Sequence, residues 1–265
     1  MHRFPYAVNT SILFTELDVL SRPAAAKAAG FDAIEFWWPF SEAVPSDGEV
    51  DRFVRAVDEA GVSLVGLNFF AGDMPAGDRG VLSHPKRSSE FADNVDVAVG
   101  IGARLGCRAF NALYGNRIEG MLPADQDTTA VENLITAAKG AARVDGTVLI
   151  EPVSGTPTYP LKTAADAVSV IDRVHQAGGV ENLRLLFDLY HLITNGDDPA
   201  AAIDRYADRI GHVQIADAPG RNEPGTGEVD FADYFARLEK AGYRGYVACE
   251  YKPSGASADS FGWMR

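Results

Sequence analysis

The sequence predicts an α/β protein built as a single (β/α)8 barrel, the TIM-barrel architecture, over residues 1–265. Short apolar or β-branched runs alternate with longer segments whose apolar residues recur every three or four positions, and about eight such units follow one another. Several of the longer segments also end in a glycine just before the next apolar run, as helices commonly do. The competing fold is an open doubly wound sheet, but no Gly-rich phosphate turn follows the first strand.

The order of elements is strand, helix, strand, helix throughout. The predicted strands are residues 4–9, 31–36, 62–67, 107–112, 147–151, 183–188, 210–215 and 245–250. The predicted helices are residues 17–29, 48–60, 88–105, 127–143, 162–177, 198–207 and 230–241. The glycine punctuation stands in the stretches "KAAGFDAIEF", "DEAGVSLVGL", "ARLGCRAF" and "EKAGYRGYVACE".

Composition excludes several classes of protein. The net charge of −13 repels a phosphate backbone, which disfavours nucleic-acid binding and attachment to an anionic membrane. The N-terminus lacks the apolar core of a signal peptide and no run approaches the roughly 20 apolar residues of a membrane helix, so we expect a cytoplasmic protein. Cys107 and Cys249 each lie in an apolar run, which predicts buried free thiols.

Four predicted strands close on a polar side chain that, in a barrel, points into one shared mouth. Glu151 ends the fifth strand, Asp188 the sixth, Gln214 the seventh and Glu250 the eighth. A carboxylate that directly follows a strongly apolar strand is costly to bury without a partner. His212 alternates with Gln214 onto the same face, toward the barrel interior.

Three carboxylates and one amide in a partly dry pocket indicate a metal site. Like charges a few ångströms apart disfavour joint ionisation, and a divalent cation relieves that repulsion. Oxygen ligands suit a hard or borderline ion such as Mg²⁺ or Mn²⁺, whereas zinc sites are rich in His or Cys.

Two of these acids are also candidates for proton transfer. Glu151 and Glu250 come from strands that lie across the barrel mouth, so they can flank a small substrate. One would take a proton from a carbon beside a carbonyl and the other would return a proton to the neighbouring carbon, with the metal stabilising the enediolate. The spacing of these residues along the chain does not distinguish isomerisation from epimerisation.

At these residues the sequence resembles the hydroxypyruvate isomerase family, within the xylose-isomerase-like barrel superfamily. The resemblance covers nearly the whole chain. It is carried by "GFDAIEFWWPF", "NFFAGDMPAGDRG", "LIEPVS", "FDLYHL", "GHVQIADAPGRNEPGTGEVDF" and "CEYKP" before a terminal "WM". It implies reversible conversion of hydroxypyruvate to 2-hydroxy-3-oxopropanoate (tartronate semialdehyde).

The resemblance also implies roles for particular residues. The two catalytic glutamates of the family match Glu151 and Glu250, and the metal ligands of the superfamily match Glu151, Asp188, Gln214 and Glu250. Related sugar epimerases usually carry His at the third metal position, so Gln214 departs from them while agreeing with the isomerase. His191 stands in the "D-x-x-H" arrangement that related barrels use to touch substrate oxygens; a packing histidine is the alternative.

An anionic hydroxy-keto acid needs local cations. Loops that follow strands offer Arg79, Arg117, Arg221 and Lys252, each of which is otherwise a solvated surface charge. Arg221 and Lys252 adjoin the motif acids and rank first. Asn68, which opens the "NFFAGDMP" loop, completes the predicted substrate-binding set.

Two kinds of loop surround this mouth. The Gly- and Pro-rich stretch "ADAPGRNEPGTGE" predicts a compact loop whose backbone approaches the ligand, or a tight connection alone. The aromatic stretches "WWPF" and "NFFAGDMP" predict either an apolar lid that excludes water or a contact between copies in a homo-oligomer.

Other functions stay open at the level of sequence. A 2-oxo-tetronate isomerase has the same chemistry with a four-carbon acid, and a sugar isomerase or epimerase is the next alternative. A nuclease of the related AP-endonuclease type would need more His ligands and a basic surface, both missing here. A barrel that only binds has no need of two opposed proton carriers.

Overall fold

A computed structural model describes residues 4–264 and confirms a closed barrel of eight parallel strands in the order β1 to β8. Residues 1–3 and 265 of the predicted 1–265 domain lie outside the described residues. All eight predicted strands are present, most with shorter ends than predicted. They are β1 (Tyr6–Asn9), β2 (Ala33–Phe36), β3 (Ser63–Asn68), β4 (Ala109–Asn111), β5 (Thr147–Ile150), β6 (Leu183–Asp188), β7 (Ile210–Ile215) and β8 (Val247–Cys249).

Helices follow the strands and cover the outside of the barrel. They are α1 (Arg22–Ala28), α2 (Asp47–Ala60), α3 (Ser88–Leu105), α4 (Pro123–Ala142), α5 (Ala164–Gly178), α6 (Leu189–Asn195), α7 (Pro199–Tyr206) and α8 (Phe231–Lys240). The seven predicted helices are confirmed, although α1 starts later and α4 earlier than predicted. Helices α1 and α4 each have a proline at one of their first two positions, where the missing backbone N–H would have no partner within the helix. The short α6 was not predicted.

Glycines end or closely follow several helices, as the sequence predicts. Gly61 ends α2 with φ 65° and Gly106 ends α3 with φ 73°, the left-handed conformation that favours glycine. Gly30 and Gly242 follow α1 and α8 by two residues and have φ 99° and 89°. Each turn sends the chain back into the next strand.

Two further features of the fold are the burial of the cysteines and the limited apolar character of the helices. Cys107 and Cys249 are free and fully buried, as predicted, and burial raises the pKa of both thiols. Between residues 4 and 264, none of the helices combines the length and the apolar character that crossing a membrane requires.

The strand order brings the predicted polar residues to one end of the barrel. Glu151 directly follows β5, Asp188 is the last residue of β6, and Glu250 directly follows β8. Gln214 lies in β7 and pairs in register with Asp188 on β6. Because all eight strands are parallel, these side chains share the carboxyl-terminal mouth.

Candidate active site

Four buried titratable side chains meet at the mouth of the barrel. Glu151, Asp188, His191 and Glu250 each offer one ligand atom, and these atoms all lie within 4.8 Å of one another. Their exposed fractions are only 4%, 1%, 5% and 3%. Sequence reasoning brought the three acids together correctly and placed His191 beside them.

A cavity of about 1790 Å³ opens over this cluster. Glu151, His191 and Glu250 line it, whereas Asp188 and Gln214 are not among its lining residues. The walls include aromatic and apolar side chains from the predicted lid stretches: Trp37, Trp38, Phe40, Phe70 and Met74. The cluster is therefore accessible to a small molecule through a mouth with partly apolar walls.

Glu151 is held by an amide. Its Oε2 accepts a hydrogen bond of 2.7 Å from Asn111 Nδ2, and its backbone carbonyl accepts one of 3.0 Å from the Tyr159 hydroxyl. Burial raises the pKa of the Glu151 carboxyl to about 8, and the charge of Asp188 adds to the rise. Without a cation in the cluster, this carboxyl carries a proton at neutral pH.

Glu250 is held by a cation and a different amide. Its Oε1 accepts a 2.6 Å hydrogen bond from Arg221 Nη2, and its Oε2 accepts a 2.8 Å bond from Asn9 Nδ2. Burial raises the pKa of Glu250 well above its ordinary value, while the Arg221 charge opposes that rise. The two glutamates thus have unlike partners although they share one mouth.

His191 is a neutral hydrogen-bond donor at this cluster. The Ser154 backbone N–H donates to Nδ1 over 3.0 Å, so Nδ1 is an acceptor and the ring proton of a neutral imidazole is on Nε2. Nε2 lies 3.8 Å from Glu151 Oε1 and 3.7 Å from Asp188 Oδ2. Burial lowers the pKa of His191 to about 4, which keeps the ring neutral.

The donor set fits a divalent cation. Asp188 Oδ2 and Gln214 Oε1 are buried acceptors without a hydrogen-bond partner anywhere in residues 4–264. Orphaned acceptors beside buried carboxylates cost free energy unless a cation or a donor reaches them. The predicted ligand set of Glu151, Asp188, Gln214 and Glu250 therefore suits a hard ion such as Mg²⁺ or Mn²⁺. The tautomer of His191 favours a donor role for it over metal ligation.

The predicted substrate-binding residues separate into two groups. Asn68, Arg79, His191, Arg221 and Lys252 line the cavity. Arg117 does not: its Nη1 pairs with Asp127 Oδ1 at 2.8 Å and its guanidinium stacks over Tyr114. This position does not support the predicted substrate contact of Arg117, because an acid on α4 already neutralises it.

Sequence reasoning missed three polar residues that hold the site. Asn9 ends β1 and Asn111 ends β4, and each donates to one of the glutamates. Glu35 in β2 is buried and accepts from Asn9 Nδ2, from Gln214 Nε2 and, on its other oxygen, contacts His212 Nε2. The signal was present, since β1 and β4 close on an asparagine as β6 closes on an aspartate.

The interior position predicted for His212 is confirmed. Its side chain is buried inside the barrel, where Nε2 lies 2.6 Å from Glu35 Oε2. The prediction rested on the two-residue alternation along β7, and the structure places Gln214 on the same side, also against Glu35.

The protein is thus a (β/α)8 barrel with a buried acidic centre at the carboxyl-terminal mouth. The chain belongs to the family described as "Xylose isomerase-like TIM barrel", whose family model matches residues 23–265.

Full-length relatives carry isomerase names. The chain is 52% identical to a Streptomyces coelicolor protein named "Putative hydroxypyruvate isomerase", over 98% of this chain and 95% of that protein. It is 34% identical to the hydroxypyruvate isomerase of Escherichia coli, over 98% and 97% of the two chains. It is also 33% identical to the 2-oxo-tetronate isomerase of Cupriavidus necator, again over 98% and 97%.

A solved structure shows the same architecture. A crystal structure from Brucella melitensis, described as an AP endonuclease of family 2, superimposes with a TM-score of 0.88. The identity is 34%, over all of this chain and 98% of that one. The activity in its name differs from the activities in the names of the sequence relatives, so the chemistry of the site is needed to choose between them.

Proposed function

We propose that the protein is an isomerase that interconverts hydroxypyruvate and 2-hydroxy-3-oxopropanoate (tartronate semialdehyde). The observation that carries the proposal is the meeting of Glu151 and Glu250, from β5 and β8, in one buried cluster at the cavity. Two carboxyls with unlike partners can take opposite protonation states, which an acid and a base need. The isomerase names of the full-length relatives support the same class.

Glu151, Asp188, Gln214 and Glu250 are the residues that would hold a divalent cation. When bound, Mg²⁺ or Mn²⁺ supplies Lewis acidity, which draws electron density from the substrate oxygens. The two orphaned oxygens, Asp188 Oδ2 and Gln214 Oε1, are the observation that supports these ligands.

The glutamates move the proton. In the forward direction the carboxylate form of one glutamate removes a proton from C3 of hydroxypyruvate, and the electron pair of the broken C–H bond forms the C2–C3 double bond of an enediolate. The protonated form of the other glutamate delivers a proton to C2. The proton of the C3 hydroxyl passes to the C2 oxygen, so C3 becomes the new carbonyl carbon and C2 carries the new hydroxyl. Atoms and charge balance, because C3 loses one proton and C2 gains one, the hydroxyl proton moves from the C3 oxygen to the C2 oxygen, and the two glutamates exchange protonation states.

Neighbouring side chains keep the glutamates in place. Asn111 donates to Oε2 of Glu151 and leaves Oε1 on the side of His191. Glu250, by contrast, is held at both oxygens, by Arg221 at Oε1 and by Asn9 at Oε2. The Nε2–H of His191 is free to donate to a substrate oxygen, because Ser154 already holds Nδ1. This donor would stabilise negative charge that develops on that oxygen.

Cations at the cavity supply recognition of the substrate carboxylate. Lys252 and Arg79 line the cavity, and neither forms an ion pair with any carboxylate of the described residues. Arg221 is already paired with Glu250. Lys252 adjoins Glu250 in sequence, so it is the first choice for the carboxylate, and Arg79 is the second.

A four-carbon acid is the second candidate substrate. The cavity of about 1790 Å³ has room for either acid, and a relative with 33% identity is named 2-oxo-tetronate isomerase. The proton chemistry is identical for both acids. Unpaired cations in the cavity favour either acid over a neutral sugar.

A nuclease is disfavoured by the site. The cluster contains one histidine, and its ring is held as a neutral donor. The net charge of −13 opposes approach of a nucleic acid. We therefore propose that the protein acts on a small molecule in the cytoplasm. A homo-oligomer remains a prediction from the sequence.

The test is a panel of substrates with the purified protein and added Mg²⁺ or Mn²⁺. Hydroxypyruvate, a 2-oxo-tetronate, a neutral ketose and a duplex with one abasic site are compared by product analysis. The proposal expects turnover of hydroxypyruvate with the highest kcat/KM. A higher value for the four-carbon acid would replace the substrate, and strand cleavage without isomerisation would overturn the proposal.

A further inference from the structure

Glu35 occupies an unusual position for a carboxylate. It lies in the middle of the apolar β2 run, is 3% exposed, and points into the barrel rather than to solvent. The register between β2 and β3 shifts at Ile34 and Glu35, which brings Gly66 opposite Glu35. A Cβ on Gly66 would lie 3.2 Å from Glu35 Oε2, so the missing side chain leaves the carboxylate its room.

The two oxygens of Glu35 have different partners. Oε2 contacts His212 Nε2 at 2.6 Å, deep in the barrel. Oε1 accepts from Gln214 Nε2 at 2.6 Å and from Asn9 Nδ2 at 2.9 Å. Asn9 Nδ2 also donates to Glu250 Oε2, so Oε1 touches both a predicted metal ligand and the partner of a catalytic glutamate.

This contact fixes which way the Gln214 amide faces. A carboxylate only accepts hydrogen bonds, so the amide nitrogen must face Glu35; the flipped amide would set two acceptor oxygens 2.6 Å apart. The amide oxygen then points away from Glu35. That oxygen is one of the buried acceptors without a hydrogen-bond partner in residues 4–264, and Asp188, its register neighbour on β6, carries another.

We propose that Glu35 is the positioning residue of the metal site: its Oε1 fixes the Gln214 amide with the oxygen presented to the cation. Gln214 is a flexible, neutral ligand with two ends of similar shape. Without a fixed acceptor behind its nitrogen, either end could face the cluster, and the effective ligand strength would fall. The inference rests on the proposed function only in requiring that Gln214 is a metal ligand.

Two variants separate reach from charge. Glu35→Asp keeps the charge but shortens the side chain by one methylene, so its oxygen no longer reaches Gln214. Glu35→Gln keeps the reach and loses the charge: its amide oxygen can accept from Gln214 and Asn9, while its nitrogen donates to His212 in the other tautomer. The experiment measures the Mn²⁺ dissociation constant from the free Mn²⁺ signal in electron paramagnetic resonance, which needs no turnover.

We expect Glu35→Asp to weaken Mn²⁺ binding roughly 10- to 100-fold, the range for loss of an outer-shell partner. We expect Glu35→Gln to stay within roughly twofold of the unmodified protein, because its amide oxygen still accepts from Gln214 and Asn9. Loss of affinity in Glu35→Gln would overturn the proposal by itself, even if Glu35→Asp did not fold, because it would show that charge rather than reach matters.

His212→Leu is the matched control for stability. It removes the partner of Oε2 and leaves both bonds to Oε1, so it should lower the melting temperature without changing the Mn²⁺ affinity. Equal losses of affinity in His212→Leu and Glu35→Asp would reduce Glu35 to a structural residue and overturn the proposal.

A double-mutant cycle with Gln214→Leu tests the route. If Glu35 acts through Gln214, adding Glu35→Asp to Gln214→Leu weakens binding no further. Full additivity would overturn the proposal. If the unmodified protein does not bind Mn²⁺, the metal site of the proposed function fails and the inference fails with it; if it binds and Glu35→Asp binds equally well, only the inference fails.

Discussion

The Arg221 guanidinium donates to Glu250 Oε1 over 2.6 Å and stacks over the Tyr190 ring with its Cζ 5.2 Å from the centroid. Both contacts need a planar guanidinium, which an ammonium does not replace. Glu250 is therefore held from the loop after β7, where Arg221 adopts φ 58°. In residues 4–264, the side-chain donor to the Glu151 carboxyl is the Asn111 amide, and no Arg or Lys donates to it.

We predict that Arg221→Lys lowers kcat/KM roughly 100-fold, because the loss of a buried charge-assisted bond costs about 1.5–3 kcal/mol. Steady-state kinetics with hydroxypyruvate measure this. Arg205→Lys is the matched control, since Arg205 also stacks on a tyrosine but is exposed. A similar small loss in both variants would show that the Arg221 contacts do not contribute to activity.

The two glutamates are predicted to be individually essential. Glu151→Gln and Glu250→Gln each remove a proton carrier, and general acid–base groups contribute roughly 10²- to 10⁴-fold to rate. We expect kcat to fall by that range in each variant, in single-turnover assays with added Mn²⁺. The exposed Glu228→Gln is the control and should keep full activity. A variant at either cluster position with kcat near the unmodified value would remove that residue from the mechanism.

Stability of the metal-free protein should depend on pH through Glu151. Burial raises its pKa from 4.5 to about 8. Between these two pH values the native state therefore keeps a proton that the unfolded chain has already lost. The free energy of unfolding therefore falls as pH rises. His191, with its pKa lowered to about 4, has the opposite effect but only below its ordinary pKa of 6.5. Between about pH 6.5 and pH 8, the change in stability therefore reports the buried carboxyl groups and not His191.

Thermal unfolding in the presence of a chelator measures this dependence. We expect the melting temperature to fall between pH 6.5 and 8, and Glu151→Gln to reduce the slope. The slope that remains in that variant comes from Glu250, whose pKa is raised in the same direction. Equal slopes in Glu151→Gln and in the exposed Glu228→Gln would contradict the assignment.

Lys252 is predicted to act on binding rather than on chemistry. Lys252→Met keeps the aliphatic stem and removes the charge that would meet the substrate carboxylate. We expect KM for hydroxypyruvate to rise roughly 10-fold with little change in kcat, the pattern for a contact made equally in ground and transition states. Lys240→Met at the end of α8 is the control. An unchanged KM would direct attention to Arg79.

The fold was largely readable from the sequence because its signals are local. Glycines at helix ends and apolar runs of strand length need no knowledge of distant contacts, and the strand-end acids follow from the parallel order. The helix α6 was missed because its seven residues, "LYHLITN", are too few to show a helical period. Its N-cap is Asp188, so a site residue was also a helix signal.

The role of Glu35 could not be predicted from the sequence, because it depends on neighbours far apart in the chain. Glu35 looks like a single polar residue in a strand until the barrel brings it to Gln214, 179 positions away. Arg117 was predicted to contact the substrate, but its guanidinium pairs with Asp127 on the following helix and does not line the cavity. The sequence marks residues that can act, whereas packing decides which of them face the substrate.

Deuterium incorporation shows whether Glu151 and Glu250 remove a proton from C3 and deliver one to C2. Hydroxypyruvate is incubated in D₂O with the protein, with and without Mg²⁺ or Mn²⁺, and label is followed by nuclear magnetic resonance against a sample without protein. We expect metal-stimulated deuterium at C2 of the product and at C3 of recovered hydroxypyruvate, and we expect this labelling to be strongly reduced in Glu151→Gln and Glu250→Gln. Product formed without solvent label, or equal labelling in both variants, would contradict this mechanism.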